Sequence, residues 1–154
     1  MTSPSGMSLT LQYQGGMAFV GRGPSGHPIP MDAAAQAGGA DSAPRPMEMI
    51  LAALGGCSGI DVVHILRKMR IPFDALEIRL HGTRRDEHPR YFTAIEVEYV
   101  FRGAGLQEKR RRLEEAVRLS QEKYCSVAAM LKGAAQLSWR VTIEEDPAAS
   151  GEEA

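Results

Sequence analysis

Apolar and polar positions alternate along "SLTLQYQ" (8–14), with Leu9, Leu11 and Tyr13 on one side and Thr10, Gln12 and Gln14 on the other. That is strand spacing. Gly15-Gly16 turns the chain and "MAFVGR" (17–22) returns, so the two runs read as a hairpin. "GPSGHPIP" (23–30) carries three prolines and two glycines and is a loop or edge segment at most. "AAAQAGGADSAPRP" (33–46) is a stretch of small residues and loop formers.

The period then changes. From Pro46 to Met69 the pattern predicts one long helix, with Met47, Ile50, Leu51, Leu54, Ile65, Leu66 and Met69 as its buried side. Pro46 suits the first turn, where its missing N–H is not needed. Glu48 sits near the positive end of the helix dipole. Lys68 and Arg70 lie at the C-terminal end and Pro72 stops the run. At about 24 residues it exceeds the usual 8–20 of a globular helix, which makes it the spine of the fold. Three glycines, Gly55, Gly56 and Gly59, surround Cys57 in the middle of it. Each costs about 1 kcal/mol relative to alanine, so something must approach the backbone there, either a packed neighbour or a reacting molecule.

Strand alternation resumes in "ALEIRLHGTRR" (75–85) and "YFTAIEVEYVF" (91–101), joined by the turn "DEHP" (86–89). A second helical region starts near Leu106, with Leu113, Ala116 and Val117 continuing its apolar stripe. "CSVAAMLKGA" (125–134) reads as a short helix ending at Gly133, and "QLSWRVTIEE" (136–145) as a last strand. These elements predict a single α+β domain over residues 1–154, with helices packed on an antiparallel sheet and an acidic frayed tail at 146–154.

Composition narrows the function classes. The chain has 154 residues, 44% hydrophobic and 24% charged, with a net charge of −1. Near-neutrality argues against a general affinity for nucleic acid or anionic lipid. The run "KRRRL" (109–113) reads as a solvated helix face balanced by Glu114 and Glu115. No apolar run approaches the roughly 18 residues of a membrane span. The first residues lack the pattern of a secretory signal, so the two cysteines predict a reducing, cytoplasmic setting.

Those cysteines are the first candidates for chemistry. Helical spacing from Cys57 puts Asp61 and His64 on its stripe. Cys125 falls near the start of a helix, where the dipole can lower a thiol pKa. The bland alternative is a pair of buried, inert thiols. Cys57, His64 and Cys125 lack the CxxC or HxxxH spacing of a metal site, so neither metal nor bound cofactor is expected. "GCSG" and "GPSG" do not form a GxSxG elbow, and "GRGPSG" (21–26) is followed by "HPIP" where a dinucleotide site needs a helix.

"RPMEMILAALGGCSGIDVVHILRKMR" (45–70) together with "SQEKYCSVAAML" (120–131) resembles the OsmC/Ohr superfamily of thiol-dependent proteins, over nearly the whole chain. The wording "PMEMILAALGGCSGIDVV" is most similar to the YhfA-like branch. The resemblance implies an α+β fold of antiparallel sheets packed around a long central helix, in an intertwined homodimer with the long helices back to back and two sites at the subunit interface. It implies that Cys57 attacks an organic hydroperoxide to give a sulfenic acid. Cys125 then resolves it to a disulfide, and an external dithiol such as a lipoylated protein reduces that disulfide.

Two parts of the family pattern fit less well. The peroxidase branches hold the reactive thiol with a Glu, ten residues before the Cys in an "NPE" motif, and an Arg in a "GGRDG" loop. Here "RPME" places Glu48 nine residues before Cys57, half a turn out of phase on a straight helix. Glu48 is therefore either a site residue on a bent helix or a helix-start carboxylate. Arg22 matches the arginine loop better, while Arg45 is closer to Glu48 in sequence. The rival to a peroxidase is a non-enzymatic protein of the same fold that binds a small hydrophobic ligand or senses redox state.

Overall fold

The structure, a computed structural model, describes residues 5–145. The acidic tail at 146–154 lies outside the described residues. Two compact units divide the chain at Ile50/Leu51, inside the long helix.

In the first unit, β1 (Thr10–Tyr13), β2 (Phe19–Arg22) and β3 (Pro28–Met31) form an antiparallel sheet in that order. The hairpin is as the alternation predicts. The Pro-rich segment is the edge strand β3; Pro28 and Pro30 lie two apart and so direct their missing donors to one side, which an edge strand can spare. Among the described residues the sheet's Leu11, Tyr13 and Phe19, and Leu9 just before it, are exposed, Tyr13 by 62%. Behind β3, buried Asp32 organises the loop. Its carboxylate accepts from the backbone N–H of Ala33 (2.7 Å), Ala40 (3.2 Å) and Ser42 (3.1 Å) and from the Ser42 hydroxyl (2.7 Å). The Ser42 hydroxyl, chief among these bonds, holds the carboxyl below its ordinary range. A depressed carboxyl contributes stability above its unfolded pKa of about 3.9 and loses it as pH falls through the folded value. We therefore expect this loop to become more protease-sensitive only below about pH 4, and Asp32→Asn to show that sensitivity already at neutral pH.

The second unit is built on α1 (Pro46–Met69), which runs unbroken through its glycines. Leu54, Gly55, Ser58, Val62 and Leu66 form its buried face. Of the residues predicted there, Leu54 and Leu66 are fully buried and the other five are half-buried. Arg70 follows in the left-handed conformation, and the Ile71 N–H closes on the Leu66 carbonyl at 3.0 Å. This is a Schellman end, with Arg70 where glycine is usual.

β4 (Ala75–Arg84), β5 (Phe92–Arg102) and β6 (Gln136–Glu144) follow, in the order β4-β5-β6. β4 and β5 are antiparallel, as expected, but β6 runs parallel to β5. The reason is the crossover between them: α2 (Arg110–Leu119), a π-helical turn (Ser120–Tyr124) and α3 (Ser126–Leu131) return the chain to the end where β5 began. One face of the sheet carries the core residues Ile95, Val97, Tyr99 and Phe101, closed by Leu106, Leu113, Ala116 and Val117 from the crossover. The other face is a ladder of charge. Glu98 accepts from Thr142 at 2.6 Å and pairs with Arg140 on β6 (3.2 Å) and Arg79 on β4 (3.5 Å). In "KRRRL", Arg110 donates to the Val141 carbonyl at 3.0 Å and Arg111 and Arg112 are exposed.

The three glycines are not alike. A methyl group at Gly55 would lie 2.8 Å from Leu80 Cδ1, and one at Gly59 2.8 Å from Ile78 Cδ1. These two let β4 pack against α1. Gly56 has nothing within 4 Å and lies on the exposed side with Ile60, itself 73% exposed. By length and composition alone helix α1, with a mean hydropathy of 1.8 over an 18-residue window, could cross a membrane, a test that the core helix of a globular domain passes equally. Scattered Ser, Cys and Asp interrupt any continuous apolar run but hardly lower the mean. Only 33% of that window is buried within the chain.

Candidate functional site: two thiols beside a buried polar chain

Cys57 stands on α1 at the margin of the buried face, half-exposed, with Asp61 one turn further on. Cys125 arrives from the crossover. It caps the N-terminus of α3, its Sγ accepting the Ala128 N–H at 3.3 Å, and it is only 3% exposed. The two sulfurs and an Asp61 carboxylate oxygen all lie within 4.8 Å of one another, and both thiols are free. The fold thus brings together residues 68 apart in sequence. His64, on the same predicted stripe, is exposed and not part of this group.

Capping α3 does not make Cys125 acidic. Burial pushes its thiol up, the Ala128 N–H offsets part of that, and the neighbouring Cys57 sulfur pushes it up further. The lowering that a helix dipole can offer is outweighed by burial here, since α3 is a six-residue helix and the sulfur is nearly sealed from water.

A chain of hydrogen bonds runs behind the sulfurs. Gln121 Nε2 donates to the Tyr99 hydroxyl (2.6 Å), which lies 2.5 Å from Ser58 Oγ. Ser58 Oγ lies 2.8 Å from Ser120 Oγ, and Ser120 donates to Asp61 Oδ2 at 3.2 Å. The amide nitrogen at one end can only donate and the carboxylate at the other can only accept. The ends therefore orient every hydroxyl between them toward Asp61. Burial, more than the nearby Cys125 and Asp61 charges, raises the Tyr99 phenol and keeps it a donor. Lys132 Nζ donates to the Gln121 carbonyl at 2.5 Å, tying the π-helical turn to α3. π-helical turns of this kind often mark functional segments.

Sequence reasoning missed this chain. Tyr99 reads as one more apolar strand position, and Ser58 as a neighbour of Cys57. The cluster "SQEKYC" was the available signal, but only the crossover puts Ser120 and Gln121 beside α1. Tyr99→Phe should cost about 1–3 kcal/mol, because the buried Gln121 amide loses its acceptor and Ser58 loses a partner. Denaturant midpoints of the two proteins measure it.

The remaining predicted residues belong to the first unit. Arg22 is exposed and donates to the Gly26 carbonyl at 3.1 Å; Arg45 pairs with Asp41 at 3.7 Å. Glu48 Oε2 accepts the backbone N–H of Arg45 at 3.2 Å, and the Arg45 carbonyl accepts the first bond of α1 from Met49 at 3.1 Å. Glu48 is therefore engaged at the helix start, making the carboxylate half of a capping box, with no acceptor in the Arg45 side chain to return the bond.

The site is thus a free thiol pair held between a spine helix and the crossover of an α+β sheet. Residues 38–140 match the family model of OsmC-like proteins, and the chain belongs to that family. It is 43% identical to Protein YhfA of Escherichia coli K12 over 132 residues, 86% of this chain and 94% of that one. Its fold is similar to a hypothetical protein from Aquifex aeolicus VF5, at 36% identity and a TM-score of 0.75, covering 92% of this chain and 99% of that chain. It also resembles in fold an organic hydroperoxide resistance protein OsmC from Legionella pneumophila, at 13% identity and a TM-score of 0.66, covering 92% and 99%.

Proposed function

We propose that the protein is a homodimeric, thiol-dependent peroxidase of organic hydroperoxides. The observation that carries the reading is the asymmetry of the thiol pair. Two free sulfurs lie within 4.8 Å, one half-exposed and one sealed. A peroxide can reach Cys57, whereas Cys125 can meet only what forms on Cys57. The substrate class is taken from the family resemblance, in keeping with the name of the Legionella protein, an organic hydroperoxide resistance protein.

In this reading the Cys57 sulfur, as thiolate, attacks the outer oxygen of ROOH. An S–O bond forms, the O–O bond breaks, and the departing alkoxide takes the proton that left the thiol, giving ROH and Cys57–SOH. The Cys125 sulfur then displaces hydroxide from Cys57. Its own proton completes a water molecule, and the disulfide forms. A dithiol such as a lipoyl group reduces the bridge and becomes a disulfide itself. The sum is ROOH plus dithiol to ROH, water and oxidised dithiol. Arg22, Arg45 and Glu48 enter as candidate activators of Cys57, supplied within the dimer.

Consumption of cumene hydroperoxide with dihydrolipoamide, against hydrogen peroxide, tests the reading. Faster turnover of the organic substrate is expected, and no turnover of either overturns it. Among Arg22→Ala, Arg45→Ala and Glu48→Ala, a site residue is recognised by lost turnover at unchanged melting temperature. If Glu48 serves only its capping role, Glu48→Ala costs about 0.3–1 kcal/mol of stability and leaves turnover alone.

A further inference from the structure

We propose that reduced Cys57, Asp61 and Cys125 form a binding site for one zinc-type divalent ion per chain. The inference stands on the geometry of this cluster and not on the peroxidase reading. Metal spacing in the sequence does not suggest it, because the carboxylate ligand is Asp61 on α1 and not His64, and the second thiol is a crossover residue far along the chain.

The donor set is that of a soft-to-borderline ion. Two thiolates favour zinc over magnesium or calcium, and a carboxylate completes a three-ligand set with one position open to water. The three donor atoms already lie within 4.8 Å of one another. Tetrahedral zinc holds sulfur at about 2.3 Å and oxygen at about 2.0 Å, so a small inward movement of the three side chains is sufficient. The outer shell is in place as well. Ser120 donates to Asp61 Oδ2 at 3.2 Å, leaving the other carboxylate oxygen for the metal, and the Ala128 N–H donates to Cys125 Sγ at 3.3 Å. Such partners orient ligands and temper their charge. On binding, each thiol releases its proton to solvent, and two thiolates, one carboxylate and a divalent cation sum to a single negative charge.

An ion there occupies both sulfurs. Zinc and disulfide formation are then mutually exclusive: oxidation releases the metal, and the metal protects the thiols.

The test is a calorimetric titration of the full-length protein with zinc chloride, after reduction and chelation, with no peroxide present. One ion per chain is expected for the reduced protein and none for the disulfide form. Cys57→Ser and Cys125→Ser should each abolish tight binding. Asp61→Asn, which keeps the side-chain shape and the acceptor for Ser120, should weaken binding at least about tenfold, the lower end of what loss of an outer-shell partner costs. X-ray absorption at the zinc edge of the wild-type complex should show two sulfur neighbours. Binding no tighter than in a Cys57→Ser/Cys125→Ser double variant overturns the site, as does a single sulfur neighbour or an unchanged affinity in Asp61→Asn. Peroxide turnover is assayed separately in chelator. Zinc binding without turnover sinks only the peroxidase, and turnover without zinc binding sinks only the metal site.

Discussion

Cys57→Ser should reduce organic hydroperoxide consumption to the uncatalysed background, while Cys125→Ser leaves the first oxidation intact and traps it. The difference follows from position. Cys57 is half-exposed on α1 and Cys125 is 3% exposed at the start of α3. Mass spectrometry after one equivalent of cumene hydroperoxide reads the outcome. The wild type should lose two hydrogens and yield linked peptides containing Cys57 and Cys125, reversed by dithiol. The bridge needs the sulfurs to close to about 2.05 Å from within 4.8 Å, a local movement at the junction of the π-helical turn and α3. Cys125→Ser should instead accumulate sulfenic and then sulfinic acid on Cys57. Sulfinic acid on Cys57 of the wild type, with Cys125 still free, would remove Cys125 as the resolving thiol. Two thiols unmodified by peroxide would end the redox reading.

The second large effect concerns assembly. The outward side of α1 carries exposed Ile60 beside Gly56, and the β1-β2-β3 sheet exposes Leu9, Leu11, Tyr13 and Phe19. A helix of mean hydropathy 1.8 with a third of its apolar window buried needs cover. In a second copy the same bare glycine face would admit a close helix–helix approach. Light scattering behind gel filtration should give twice the chain mass at micromolar concentration, from an interface above about 2,000 Å². Ile60→Asp places a charge on that face and should return the mass to one chain, with a lower melting temperature. A well-folded wild-type monomer at that concentration counts against the dimer and against any site residue supplied by it.

Much of this molecule is legible as periodicity. The alternation at 8–14, 75–85 and 91–101 and the Pro46-to-Pro72 bracket around α1 depend on local rules of side-chain spacing and backbone chemistry. These hold before any tertiary contact forms. The thiol motifs were legible too, because their wording resembles a family. The burial pattern of α1 was less so. Ser58 and Val62 are fully buried while Met47 and Met69 are not, because the face turned to β4 is chosen by where Leu80 and Ile78 fit against Gly55 and Gly59.

Local spacing and backbone chemistry were enough for most of the elements, the α+β class, the glycine-flanked thiol and the second thiol in "KYC", though not for the strand β3 or the π-helical turn. The parallel pairing of β6 with β5, the company of Asp61 and not His64 beside Cys57, and the polar chain on Tyr99 came only with the packed fold. One cause accounts for all three. Periodicity reports which side of an element a residue occupies, but not what lies opposite. Residues 57, 61, 99, 121 and 125 meet only because the crossover after β5 folds back over α1.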